Sequence, residues 1–192
     1  MEQVRSFIAI ELSGELRQVL TRLQGKLKSG SQTPVKWVDP NSIHLTLKFL
    51  GNIDVNMTGR ITAAMEEAAR GVRPFHLEIS RLGVFPNQRR VQVVWVGLTG
   101  EVEKLAQLQK RIEAGLTPLG FAAEARPFSP HLTLARVRDQ ATLYEQQDLG
   151  RLIEGTHFEA ECRLKVDSVH LVKSQLTREG PIYSRLGSVL LK

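Results

Sequence analysis

Residues 42–51 read SIHLTLKFLG and residues 129–136 read SPHLTLAR. At a shift of 87 positions His44-Leu45-Thr46-Leu47 falls on His131-Leu132-Thr133-Leu134, Ser42 on Ser129 and Pro40 on Pro127. Leucine is common in the chain and its recurrence carries little. Histidine occurs five times, and two of those occupy the repeat. Successive side chains of a strand point to opposite faces. In extended backbone His44, Thr46 and Lys48 therefore share one face, and Ile43, Leu45, Leu47 and Phe49 share the other. His131 and Thr133 likewise share a face, with Pro130, Leu132 and Leu134 turned away. Two such polar faces, brought together, line a groove with two imidazoles and two hydroxyls.

That set suits attack on a phosphodiester. The reaction needs a base for the incoming oxygen, an acid for the departing one, and donors for the non-bridging oxygens. Imidazole ionises near pH 6.5, so at neutral pH one ring can be neutral while the other is protonated. An acid or a base placed this way typically contributes about 10²- to 10⁴-fold. The threonine hydroxyls, with Lys48, would hold the phosphoryl oxygens where negative charge develops. No metal is required if a neighbouring ribose hydroxyl has already formed a strained cyclic ester.

Other readings compete. A single His-x-Thr in a strand is ordinarily a histidine without chemistry, and the duplication is what sets this pair apart. Two histidines could hold a metal, but the motifs offer no carboxylate or cysteine and no His-x-His or His-x₃-His spacing. His76 and His157 fall on polar faces of alternating segments and read as solvated. His170 lies in an uncertain register and receives no role. No G-x-S-x-G and no Gly-rich phosphate loop is present. Arg89-Arg90 reads as a solvated charge pair that could also guide a polyanion. Cys162, the single cysteine, falls in the alternation Phe158, Ala160, Cys162, Leu164, Val166 and reads as a packed core thiol.

The elements that must position the two motifs follow from periodicity. Residues 7–12 form an apolar strand. Ser13 caps a helix whose Leu16, Val19, Leu20, Leu23 and Leu27 keep helical spacing until Gly30. A short strand VKWV lies between Pro34 and Pro40, and the first motif strand covers residues 43–50. Asp54 can cap a second helix ending at Gly71. Phe75, Leu77 and Ile79 alternate with polar residues as a half-buried strand. A loop is expected over 83–90, then a strand over 91–98. Residues 101–116 form a helix, 127–137 the second motif strand and 142–154 a weaker helix. A bent strand over 158–172 and another over 182–190 complete the chain.

The spacing predicts an α+β protein in a single bilobed domain with pseudo-two-fold duplication. The repeat halves run roughly 1–98 and 99–192, and each carries one motif. Each lobe is expected to be a mostly antiparallel sheet with helices on its outer face. The 192 residues suit one domain with a sizeable core. Lys and Arg number 26 against 20 acidic residues, a balance that favours anionic partners. The lone cysteine rules out an internal disulfide and points to a reducing, cytoplasmic setting. No apolar run approaches the roughly 20 residues of a membrane span. Nothing demands a dimer, so a monomer is expected.

VKWVDPNSIHLTLKFLG and FSPHLTLARV resemble the paired signatures of the 2H phosphoesterase superfamily. More narrowly they resemble the RNA 2′,3′-cyclic phosphodiesterase (2′-5′ RNA ligase) family. GVFPNQRRVQVVWVGL and GPIYSRL are also similar to that group. The resemblance implies a bilobed fold with the site in the cleft between lobes. It implies His44 as general acid, His131 as general base, and Thr46 and Thr133 as phosphate-binding hydroxyls. The implied reaction opens an RNA 2′,3′-cyclic phosphate to a 2′-phosphate without a cofactor. With a 5′-hydroxyl end, the same acid and base are implied to join RNA through a 2′-5′ linkage. Arg136 matches the arginine after the second motif, implied to hold substrate. Strict alternation sets it on the face opposite His131, so a twist or bulge must bring it round. Two alternatives stay open. One is a non-catalytic protein binding RNA ends or nucleotides. The other is a 2H enzyme acting on 2′-5′ oligonucleotides or small cyclic nucleotides.

Overall fold

The leading segment QVRSFIAIE is nearly continuous in apolar residues from Phe7 to Ile10, the mark of a strand covered on both faces. In the computed structural model, which describes residues 2–158, 162–178 and 180–192, it forms β1 (Gln3–Glu11), buried from Ser6 to Ile10. α1 (Gly14–Gly30) follows. Ser13 caps it by accepting the Leu16 amide at 3.2 Å, which satisfies one of the free first-turn N–H groups. Leu16, Leu20, Leu23 and Leu27 form its buried stripe.

The chain continues through β2 (Val35–Trp37), β3 (His44–Asp54) and α2 (Thr58–Ala69) to the hairpin of β4 (Phe75–Asn87) and β5 (Arg90–Gly100). Then come α3 (Val102–Leu116), β6 (His131–Val137), α4 (Leu143–Gly155), β7 (Arg163–Val166), β8 (Ser168–Leu176) and β9 (Pro181–Leu190). Asp54 caps a 3₁₀ turn over Val55–Met57 by accepting the Asn56 amide, and α2 starts just after it. The loop expected over 83–90 is mostly strand. Gly83 stays in β4 because it makes room for the Trp95 indole. Pro86 sits at a register shift, where a missing N–H is tolerated. The bent strand expected over 158–172 is two strands in different sheets, β7 and β8, parting at Asp167. Its alternating part, Leu164 and Val166, forms an edge strand. Its continuous apolar part, Val169 to Val172, forms an interior one. Cys162 is buried and unbonded, while Ala160 lies outside the described residues.

The strands make two antiparallel sheets, ordered β3-β1-β8-β9 and β2-β6-β5-β4-β7. β3, β1 and β8 of one correspond in order to β6, β5 and β4 of the other. Each sheet therefore draws strands from both halves of the sequence. The sequence division near residue 98 therefore does not coincide with the division between the two sheets. α2 packs on β8 and β9, and α4 on β4 and β5, while α3 lies beside α2 and α1 beside α4. One continuous apolar core, from Ile8 and Leu45 to Leu132 and Leu171, runs through both lobes. Among the described residues no helix is long and apolar enough to cross a membrane.

Candidate active site

The two motif strands carry the same defect. In β3, Ala9 pairs with Thr46 and Ile8 with Lys48, so Leu47 has no partner on β1. In β6, Trp95 pairs with Thr133 and Val94 with Ala135, so Leu134 has none on β5. A bulge of this kind adds a residue to one strand and resets the alternation beyond it. Leu47 and Lys48 are consequently both buried, as are Leu134 and Ala135, while Phe49 and Arg136 come out on the exposed side.

Lys48 therefore does not share a face with His44 and Thr46, as strict alternation had it. It is 6% exposed. Its Nζ donates at 2.9 Å to each carboxylate oxygen of Glu113 on α3 and at 2.7 Å to the Ala122 carbonyl. It is a structural cation beneath the sheet. Arg136 is the converse: the bulge supplies the turn it required and sets it on the side of His131 and Thr133.

His44 and His131 are held alike. Each Nδ1 lies against the carbonyl two residues earlier, Ser42 at 2.9 Å and Ser129 at 2.7 Å. A carbonyl only accepts, so Nδ1 carries the proton and Nε2 is the nitrogen left for chemistry. Aromatic rings fix each imidazole. Phe7 stacks on His44 with centroids 4.5 Å apart, and Tyr183 meets it edge-on at 5.2 Å. Phe85 meets His131 edge-on at 5.1 Å, with Trp95 at 6.2 Å. A Cβ on Gly83 would lie 2.2 Å from the Trp95 ring, so glycine is what lets that indole lie flat there. Thr46 and Thr133 are half-buried, and neither hydroxyl has a protein partner among the described residues.

β3 and β6 touch across the two sheets. Electrostatics bridge the same gap. Burial pushes the Tyr183 phenol up, and the Arg136 guanidinium of the opposite sheet, with Arg5, offsets part of that rise. Burial holds His44 below the usual imidazole value, opposed by the Ser42 carbonyl and by the Glu11 carboxylate. Glu11 stands directly across from His44 in the β1–β3 register. Arg185 on β9 grips both its oxygens, with Nε at 2.7 Å from Oε1. The same carboxylate acts on His170, which burial also lowers and which lies between the Ser168 and Ser188 hydroxyls.

The arrangement offers two oriented imidazoles and, among the described residues, two free hydroxyls and an unpaired guanidinium along strands that touch. His76 and His157 are exposed, in keeping with their alternation. Sequence reasoning assigned no role to Phe7, Phe85, Trp95, Tyr183, Glu11, Arg185 or His170. Several of these lie within the quoted stretches GVFPNQRRVQVVWVGL and GPIYSRL, but ring contacts between strands leave no local spacing signal.

The sequence matches the 2′-5′ RNA ligase superfamily over residues 35–178. It is 36% identical over 182 residues to an RNA 2′,3′-cyclic phosphodiesterase of Methanothermobacter thermautotrophicus, covering 95% of this chain and 96% of the relative. It is 33% identical over 170 residues to the protein of that name from Aeropyrum pernix, covering 88% and 93%. A crystal structure from Thermus thermophilus aligns with a TM-score of 0.78 at 28% identity over 97% of each chain. The apo form of E. coli LigT aligns with a TM-score of 0.76 over 100% of this chain and 99% of its own. At 24% identity that likeness speaks to the fold alone.

Proposed function

This chain belongs to the 2′-5′ RNA ligase superfamily, and we propose that it opens RNA 2′,3′-cyclic phosphate ends to 2′-phosphates. His131 is the proton acceptor and His44 the proton donor. The observation that carries the reading is the matched anchoring of two imidazoles, each through Nδ1 to a backbone carbonyl. The names of the relatives from Methanothermobacter and Aeropyrum support the substrate class.

Water attacks phosphorus as His131 Nε2 takes its proton. The bond from phosphorus to the 3′ oxygen breaks, and His44 Nε2 protonates that oxygen. One water is consumed, leaving a 3′-hydroxyl and a 2′-phosphate. Thr46, Thr133 and Arg136 hold the non-bridging oxygens, where charge-assisted hydrogen bonds are strongest. Burial keeps His44 neutral more readily than an ordinary histidine. An arriving phosphate places negative charge beside the ring and raises its proton affinity, so substrate readies its own acid. The two imidazoles supply both proton transfers, and ring strain in the ester supplies driving force, so the reaction needs no cofactor. With a 5′-hydroxyl end in place of water as the attacking group, the same two proton transfers form a 2′-5′ linkage and release the 3′-hydroxyl.

The test is product analysis of a defined RNA ending in a 2′,3′-cyclic phosphate. A 2′-phosphate product is expected, and a 3′-phosphate would overturn the assignment. His44→Ala and His131→Ala should each lower turnover by about 10²- to 10⁴-fold, and activity should survive chelators.

A further inference from the structure

A cavity of about 400 Å³ opens at the far end of β6, lined by Arg90, Val93, Arg136, Arg138, Asp139 and Gln146 among others. Three arginines converge on it, and among the described residues none forms an ion pair. Lys36 of β2 stands directly across from Arg136 in the register. Like charges set opposite one another in a sheet repel, and among the described residues only the carboxylate of Asp139 lines the cavity against them. The backbone that aims the two outer arginines is fixed. Asn87 Oδ1 accepts the amides of Arg89 and Arg90 at 3.0 and 3.1 Å, which pins the β4–β5 turn. The Arg138 amide donates to the Pro34 carbonyl at 2.9 Å.

Arg136 belongs both to this cavity and to the exposed side of β6 that carries His131. It lies five residues along the strand, roughly 16 Å at about 3.3 Å per residue. Arg136 thus links the histidines to Arg90 and Arg138, which lie beyond it in the path of a chain attached to the cyclic phosphate. We propose that Arg90 and Arg138 form a phosphate-binding track for RNA on the 5′ side of the cyclic end, so that the protein prefers an oligonucleotide over a single nucleotide. The inference rests on the cyclic-phosphodiesterase reading for its register: the strand enters past the arginines and ends at the histidines.

The experiment compares kcat/KM for a mononucleotide 2′,3′-cyclic phosphate and for a short RNA with the same end, in the wild type and in Arg90→Ala/Arg138→Ala. Both arginines are exposed, so the fold should be unaffected. In the wild type the oligonucleotide should win by about tenfold or more, as hydrogen bonds to charged groups allow. The double variant should lose that advantage and keep mononucleotide turnover. Binding of a labelled oligonucleotide should also lose salt dependence, with the slope against log salt shallower by about 0.7 per phosphate contact removed. A wild type indifferent to length, or a variant that keeps both preference and slope, would overturn the track. If no cyclic phosphate is turned over, the functional reading fails by itself, and the salt slopes still decide whether the arginines bind RNA.

Discussion

The side-chain amide of Gln24, on α1, donates at 3.0 Å to the carbonyl of Leu134, the residue bulged out of β6. Gln109 on α3 repeats the contact on Leu47, the bulged residue of β3, at 3.4 Å. Both glutamines are buried. A bulge leaves its extra residue out of one ladder, and these helices donate to the bulged carbonyls; that of Leu134 also accepts the Val38 amide at 2.9 Å. Gln24 also donates to the Val38 carbonyl at 2.8 Å, tying the edge segment to the bulge. The bulge is in turn what sets Arg136 on the side of His131. Gln24→Leu should therefore cost about 1–3 kcal/mol through the two hydrogen bonds it removes, from the Leu134 and Val38 carbonyls. It should also raise KM for a cyclic-phosphate RNA more than it lowers kcat. Denaturant titration and steady-state kinetics check this. Unchanged stability together with unchanged KM would show that Gln24 does not hold the bulge in place.

Lys48 and Arg136 should respond to truncation in opposite ways. Lys48 is buried against Glu113 with three hydrogen bonds, so Lys48→Ala strands a carboxylate beneath the sheet. Breaking one side of such a pair costs about 3–5 kcal/mol, while KM should hold in the molecules that remain folded. Arg136 is exposed and unpaired among the described residues. Arg136→Ala should leave the melting temperature in place and lower kcat/KM by roughly 10- to 100-fold, the worth of a charge-assisted hydrogen bond. Exchange of these two phenotypes would mean the bulges turn the side chains the other way.

Gly83→Ala tests the packing behind His131. The new Cβ would meet the Trp95 ring at 2.2 Å, so the indole must leave its place beside the imidazole. A catalytic group misplaced by about an ångström can lose 10²-fold in rate, and kcat should fall toward that limit. Trp95→Phe in the same background removes the colliding outer ring and should recover part of the rate. Full activity in Gly83→Ala alone would show that Trp95 does not position His131.

The elements were legible because their signals are local. Ser13 as a cap, the leucine stripe of α1 and the alternation around Phe75 each rest on neighbours in sequence. The facing of Thr46 and Thr133 with their histidines was legible for the same reason, since the bulges come after them. Beyond Thr46 the pattern misleads. His44 to Phe49 and His131 to Arg136 share one order of buried and exposed positions, but a strand with one extra residue has no distinct composition. Lys48 was accordingly placed on the wrong face, and Arg136 needed a bulge that only the pairing with β5 reveals. The exchange of strands between halves was hidden too, because a repeated order of elements does not say which sheet each strand joins. The aromatic pairs on the histidines come from β1, β9, β4 and β5, and the folded sheets alone make them neighbours.

Two histidines link the site to acid stability. Burial lowers both His44 and His170 from the ordinary value of 6.5, and Glu11 raises both. The unfolded chain therefore binds more protons than the folded one between the folded and unfolded values, so stability rises with pH across that interval. Their contribution is complete above about pH 6.5 and is lost as pH falls through the folded values. Urea unfolding followed from pH 7.5 downward should show the loss beginning near there, ahead of the carboxylates. Glu11→Gln removes the charge that supports both rings and releases Arg185, which already acts to lower His170. NMR titration of the imidazole carbons should then show both midpoints moving further down together. Midpoints at or above 6.5 in the wild type, or no movement on substitution, would place the rings in water instead of among Phe7, Tyr183 and the serine hydroxyls.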